Sequence, residues 1–443
     1  MKKGILASLN KEQKEAIGLL QIGTFLEYFD LMLYVHMAVL LNELFFPKTD
    51  PYTAALLTAF AFCSTYVLRP FGAFFFGWIG DNIGRKTTVI ITTSMMAVSC
   101  IIMANLPTYA QIGIAASWIV TGCRIAQGLS SMGEIIGAEI YVSEITKPPY
   151  QYSAVAFIAV ASAVGAVAAL GVASLVTHYD FNWRIAFWIG ACIAVVGSIA
   201  RTRLRETPEF IAQKLKKDKK PLDQEGSEKD PRVAKKTLLA FFLIYCGWPL
   251  SFYLVFMYFN PKLTKAFGYK PEDIIFHNFK LSLIFLFTFI AGAILCFRIH
   301  PLKILKIRGA LSGILTLFLP WLIASCSSPN QFFLLQAALL FLSLSSSPSE
   351  AILIKSIPVL RRFTASSIIY ALSRALIYVI TSFSLVYLTN GLGDYGLLIV
   401  MLPITVGFLW GVRHFETLEK KQEKKIVFEV EGDRKASGIY TPS

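Results

Sequence analysis

Residues Gly77–Thr88 read GWIGDNIGRKTT: three glycines, an aspartate, an arginine and a lysine set between two long apolar runs. Such charge is out of place in a chain that is 55% hydrophobic and only 16% charged, with a mean hydropathy of +0.58. Soluble domains are about one quarter charged, so the composition is that of a membrane protein and the stretch reads as a polar loop between two spans. A span needs about 20 mostly apolar residues. Outward from the loop, twelve such runs are found, roughly at 19–41, 54–80, 88–105, 112–138, 152–177, 184–201, 237–259, 280–298, 307–325, 331–355, 365–389 and 394–412.

The longest polar interruption, 201–236, divides these runs six and six. Its charge, proline and glycine predict a mobile linker. The expected fold is an all-α membrane protein of twelve transmembrane helices in two six-helix bundles. Residues 1–200 form the first bundle, 201–236 the linker, 237–412 the second bundle and 413–443 a tail. Transporters are commonly built from such repeats, with the substrate site near the midplane between the halves.

The formal charge of +14 speaks here for topology rather than for nucleic acid, because cytoplasmic loops collect Lys and Arg. With the N-terminus inside, 33 of the 42 Lys and Arg residues fall in cytoplasmic segments and 6 outside. Arg69, Arg124 and Arg374 remain within spans. Both termini are therefore expected in the cytoplasm, and Gly77–Thr88 on the cytoplasmic face. No signal peptide is expected, since Glu12 and Glu15 stand where its apolar core would be and Glu27 and Asp30 interrupt the first run. The seven cysteines lie in or beside apolar runs without a CxxC pair, and read as small buried hydrophobes. No metal-ligand cluster, nucleotide loop or nucleophile motif is present, which argues against an enzyme and implies no cofactor.

Ionisable residues inside spans are costly and mark functional sites by default. Glu27 and Asp30 are three apart on one face of span 1, which Tyr34 continues. Arg124, Gln127 and Ser131 share a face of span 4, with Glu134 further on. Asp30 and Arg124 lie ~17 Å and ~18 Å from their span starts at the helical rise, near the midplane of a core about 30 Å thick. Burial raises a carboxylate pKa and a nearby arginine lowers it. An acid whose arginine approaches or retreats would therefore change its proton affinity with conformation. A static ion pair that fixes packing is the competing reading. In span 11, Tyr370, Arg374 and Tyr378 recur every four residues and Thr381 continues the stripe, a face that would suit a substrate carboxylate. Snorkelling of Arg374 toward the cytoplasm is its competitor. Glu350 and Lys355 read as an interfacial pair, Pro348 as a break in span 10, and His36 and Arg69 as structural.

The segment from Gly77 to Lys86 resembles the GxxxD-x-x-G-R-K/R loop of the major facilitator superfamily. FLEYFDLMLYVHMAVLLNELFFP, LRPFGAFFFGWIGDNIGRK, CRIAQGLSSMGEIIGAEIYVSE, WRIAFWIGACIAVVGSIARTRLRETPEF and YFNPKLTKAFGYKPED resemble its metabolite:proton symporters, which include proline/betaine, α-ketoglutarate, shikimate and citrate carriers. The resemblance implies that Asp30 and Arg124 couple protons, and Glu27, on the same face as Asp30, is a further candidate. It implies that Asp81 meets a helix N-terminus of the other bundle when the cytoplasmic side closes, with Arg85 and Lys86 as its basic partners. Gly77, Gly80 and Gly84 permit the close approach, and Glu206, in the RETPE stretch after span 6, belongs to a second latch. Two departures stand out: Asn82 replaces a basic residue, and Phe297–Gly309 of the second half contains no acid, which weakens the symmetry-related latch. The short tail lacks heptads, so osmosensing is not expected.

The function expected is proton-coupled uptake of a small polar metabolite such as proline, a betaine or an organic acid, by alternating access, in a monomer of the cell inner membrane. Tyr34, Gln127, Arg374 and Tyr378 are the candidate substrate contacts. Its partners would be lipid, a proton and the substrate. The rivals are proton-coupled efflux of drug-like compounds and a non-transporting sensor on the same fold.

Overall fold

A computed structural model of the protein describes residues 10–47, 66–179, 182–218 and 233–436. Nearly all of them are helical. In the first half the helices are α1 Lys11–Phe45, α2 Arg69–Asn82, α3 Arg85–Asn105, α4 Ile114–Ile145, α5 Tyr150–Tyr179 and α6 Arg184–Arg201. A further helix, α7 Pro208–Asp218, follows α6. The second half begins with a broken span: α8 Lys235–Tyr245, α9 Gly247–Tyr253, a π-turn Leu254–Tyr258 and α10 Phe259–Phe267. Then come α11 Pro271–Leu295, α12 Pro301–Ser325, α13 Pro329–Phe341, α14 Glu350–Lys355, α15 Val359–Leu392 and α16 Gly396–Ala436.

The helices form two bundles that face each other, with lipid-facing residues outside. Phe71, Trp118 and Trp321 are 68%, 72% and 65% exposed, which is affordable only where the surrounding medium is apolar. Between the bundles one apolar core joins residues of both, from Phe29 and Met37 of α1 to Phe252 of α9 and Tyr378 of α15. A second core, at the end that carries the Gly77–Thr88 loop, packs Ile135 and Ile140 of α4 against Phe363 and Ile369 of α15. This end is called the linker end below.

The glycines of α2 make the approach of the bundles possible. A Cβ on Gly77 would stand 2.7 Å from Thr364 Cα, and one on Gly80 2.4 Å from the Phe363 ring. Gly84 has φ of 153°, a conformation that disfavours any side chain.

Several expectations change in detail. Span 10 is divided: α13 ends at Phe341 and α14 begins at Glu350, with the serine-rich turn containing Pro348 between them. The segment read as a linker begins with the helix α7, while 219–232 lie outside the described residues. The tail continues α16 as one helix to Ala436, about 60 Å in all at the helical rise. Cys192 is exposed rather than buried, and Cys63 and the side chain of His36 lie outside what is described.

Candidate functional site

Three clusters of polar residues are built into the bundles. The first surrounds Asp30 on α1. Arg124 Nη1 of α4 lies 3.3 Å from Asp30 Oδ2, and Gln127 Nε2 donates to Asp30 Oδ1 at 2.9 Å. Arg124 Nη1 also donates to Gln127 Oε1 at 2.9 Å, so acid, base and amide close a triangle. The guanidinium lies over the Tyr34 ring, 3.9 Å from its centroid. Cys100 of α3 donates to Asp30 Oδ1 at 3.6 Å. The midplane matching of Asp30 and Arg124 thus becomes a direct contact.

Glu27 follows a different course. Its carboxylate has no hydrogen-bond partner and faces Arg69 Nη2 of α2 at 4.0 Å. Arg69, read as structural, is drawn into the polar site: it stacks over Tyr66 at 4.7 Å. Glu27, Asp30, Arg69, Arg124 and Gln127 wall one small cavity.

The second cluster occupies the bundle interface. One chamber of about 30 Å³ is walled by Arg69 and Tyr28 from the first bundle and Trp248, Phe252, Arg374 and Tyr378 from the second. A neighbouring chamber of about 40 Å³ shares Tyr28, Trp248 and Arg374 and adds Glu139, Tyr245 and Glu350. Each holds a water or two at the volume a water needs, so a metabolite requires the bundles to move. Arg374 lies flat on Tyr370, 3.3 Å from the centroid, and is only 7% exposed. Its Nη1 has no partner. Snorkelling is therefore not what the side chain does. Tyr378 packs on Tyr66 with centroids 4.4 Å apart, and the hydroxyls of Tyr28 and Tyr370 meet at 3.4 Å across the interface. Tyr34 and Gln127, expected at the substrate, sit in the Asp30 cluster, both in contact with Arg124.

The third cluster fastens the linker end. Phe363 N–H donates to Asp81 Oδ1 at 3.0 Å and Thr364 N–H to Oδ2 at 2.8 Å. Arg85 Nη2 donates to Val359 O at 2.7 Å and to Glu144 Oε1 at 3.2 Å, and Nη1 lies 3.6 Å from Asp81. Val359 C=O and Phe363 N–H are formal partners in a regular helix, and here the first bundle addresses both, near the start of α15. Lys86 takes part through its backbone N–H, which donates to Glu206 Oε2 at 3.2 Å.

Two residues of this fastening had no sequence assignment. Glu144 bridges Arg85 and Arg362, the latter at 2.9 Å, and accepts from Thr207 Oγ1. Arg362 also reaches Glu209 at 3.2 Å. Ten residues before Glu144 on α4, Glu134 pairs with Arg201, which also touches Thr93, both contacts fully buried. Lys355 pairs with Glu209 at 3.2 Å rather than with Glu350, whose side chain points to the chamber. In the acid-free segment Phe297–Gly309, Arg308 Nη2 donates to Ser345 O and Ser347 O, 2.6 Å each, so the base of the second half braces the break in span 10.

The Major Facilitator Superfamily model matches residues 20–382. The proline/betaine transporter of Salmonella typhimurium (strain LT2) is 29% identical over 274 residues, 58% of this chain and 54% of the relative. Over that match the chain spans about half the length of the relative. The inner membrane metabolite transport protein YhjE of Escherichia coli (strain K12) is 31% identical over 258 residues, 56% of this chain and 58% of that one. Among solved structures, the proton:xylose symporter XylE superposes with a TM-score of 0.73 at 15% identity, covering 92% of this chain and 95% of XylE.

Proposed function

Because the chain belongs to the Major Facilitator Superfamily and is a multi-pass membrane transporter, we propose that it couples inward proton movement to the uptake of a small polar metabolite bearing a carboxylate, by rocking its two bundles about the chambers between them. The observation that carries this reading is the position of Arg69. It walls both the Asp30 cavity and the interface chamber, so protonation at Asp30 and occupancy of the chamber act on one shared group.

The chemistry follows from the contacts. Protonation of Asp30 removes the charge that holds Arg124 and leaves that guanidinium to its other partners, Gln127 and the Tyr34 ring. A carboxylate arriving at the interface meets the unpartnered Arg374 Nη1 by a charge-assisted hydrogen bond, with Tyr378 and Tyr66 beside it. The aromatic wall of Trp248 and Phe252 supplies apolar contact to the rest of the substrate. Relatives named as transporters of proline, betaine and ectoine support a substrate of this size and polarity. The Lys and Arg asymmetry supports placing the linker end and both termini in the cytoplasm, and bacterial relatives support the inner membrane. A single chain holds all three clusters, which supports a working monomer.

The test is accumulation in proteoliposomes. With an imposed inward proton gradient, the purified protein should concentrate a labelled substrate, found by a thermal-shift panel of zwitterions, mono- and dicarboxylates, above its external level. Equilibration without accumulation would reject proton coupling.

A further inference from the structure

Five of the buried acids, Glu27, Asp30, Asp81, Glu134 and Glu144, have an arginine nitrogen within 4.0 Å. Two buried acids do not. Glu139 of α4 and Glu350 of α14 are 6% and 3% exposed and make no ion pair among the described residues. Each has an Oε2 without a hydrogen-bond partner. They come from opposite bundles, and they wall the same chamber of about 40 Å³.

An unpaired buried carboxylate is expensive, and two in one small enclosure repel each other as well. The groups facing them do not remove the difficulty. The phenols of Tyr28, Tyr245 and Tyr370 line the chamber and are neutral. Arg374 lines it too, but lies flat on Tyr370 and is more than 4.0 Å from both acids. Arg308 and Cys296 stand on the Glu350 side. Arg308 gives its Nη2 to the carbonyls of Ser345 and Ser347. Arg374 is thus the one guanidinium that lines the chamber, Arg308 lies outside its wall with Nη2 held by carbonyls, and neither acid is in an ion pair, so the two repel each other across the chamber. Ser346 Oγ donates to Glu350 Oε1 at 3.2 Å, which supports the charged form there. Glu139 has the Tyr245 phenol beside it but no donor at normal hydrogen-bond length, and Arg308 stands on the Glu350 side, so Glu139 is the acid that takes the proton.

We propose that Glu139 and Glu350 form a second proton site, assembled across the bundle interface when the linker end closes, and that binding one proton there is a condition of closure. When the bundles part, water reaches both acids and both ionise. When they close, Glu139 takes up a proton from that water and presents a hydroxyl in place of a second charge. Closure of the linker end is thereby linked to proton uptake at a position separate from Asp30. The proposal rests on the alternating-access reading but not on the role of Asp30.

The experiment uses the full chain in lipid nanodiscs without substrate, and follows hydrogen–deuterium exchange of the segment bearing Phe363 and Thr364, whose amides Asp81 holds across the closed linker end. After correction for the intrinsic pH dependence of exchange, wild type should lose protection as pH rises. The loss should approach tenfold per pH unit once the site begins to deprotonate, the slope for one linked proton. Glu139→Gln should keep the segment protected across the same range, Glu139→Asp should restore the pH dependence, and Asp30→Asn should leave it in place. A Glu139→Gln protein that folds and retains the wild-type slope overturns the proposal. So does a wild-type slope lost in Asp30→Asn but not in Glu139→Gln, which would leave Asp30 as the sole proton site and the proposed function intact. If Glu139→Gln does not fold, Glu350→Gln supplies the same comparison.

Discussion

Replacing Asp81 with asparagine removes a charge and one acceptor from the linker end with little change of shape. Asp81 is buried at 6% exposure, so solvent does not screen its contacts. It accepts two N–H groups of α15 at 3.0 and 2.8 Å and stands 3.6 Å from Arg85. A hydrogen bond to a charged group contributes roughly 1.5–3 kcal/mol. Asparagine keeps one acceptor oxygen, so one bond survives in neutral form and the other is lost. The closed state should weaken by about 1.5–3 kcal/mol, or roughly ten- to a hundredfold in the ratio of open to closed. Spin labels at Asn82 and Lys303, both exposed at the linker end in opposite bundles, would report this as a second, longer distance in a cysteine-free background. A single distance that does not change in Asp81→Asn would refute the view that these two bonds hold the bundles together.

Gly77→Ala should open the same end, because its Cβ would stand 2.7 Å from the backbone of Thr364. The label pair should lengthen as in Asp81→Asn, and an unchanged distance would show that the helices can slide to absorb a methyl. Arg374→Lys loses the planar stack on Tyr370 and the fork that matches a carboxylate. It should raise the half-saturating substrate concentration about tenfold while leaving the dependence on the proton gradient intact. Glu144→Gln leaves the guanidinium groups of Arg85 and Arg362 facing each other without their shared acid. A broken buried pair costs on the order of 3–5 kcal/mol, so melting in detergent should fall by several degrees, and an unchanged melting temperature would contradict the bridging role.

Much of this was visible in the sequence, and the remainder has identifiable causes. Hydropathy placed the spans that the described residues show, since lipid imposes their length and apolarity, while 54–65 of the second span lie outside those residues. The spacing of Glu27, Asp30, Arg124 and Gln127 placed two helix faces at one depth, and the contact between Asp30 and Arg124 follows from that. The glycines of GWIGDNIGRK marked a close approach, which proves to be that of α15. Most partners between helices were not legible. Nothing in the local pattern joins Glu27 to Arg69 or Glu144 to Arg362, because periodicity states which side of a helix faces inward and not what it meets. Glu350 and Lys355 were misread as partners because they are close in sequence. α14 starts at Glu350 after an unwound turn, which sends the acid to the chamber and the lysine to Glu209. The signals available were the acid that follows span 4, the paired arginines before span 11, and a second acid, Glu139, five residues beyond Glu134 on the same helix.

The most direct test compares two kinds of flux in Asp30→Asn. Reconstituted variant protein should still exchange labelled for unlabelled substrate across the membrane, because the chambers and their arginines are intact, yet should no longer accumulate substrate under an inward proton gradient. Gradient-driven accumulation at the wild-type level in Asp30→Asn would contradict the assignment of coupling to the Asp30–Arg124 pair.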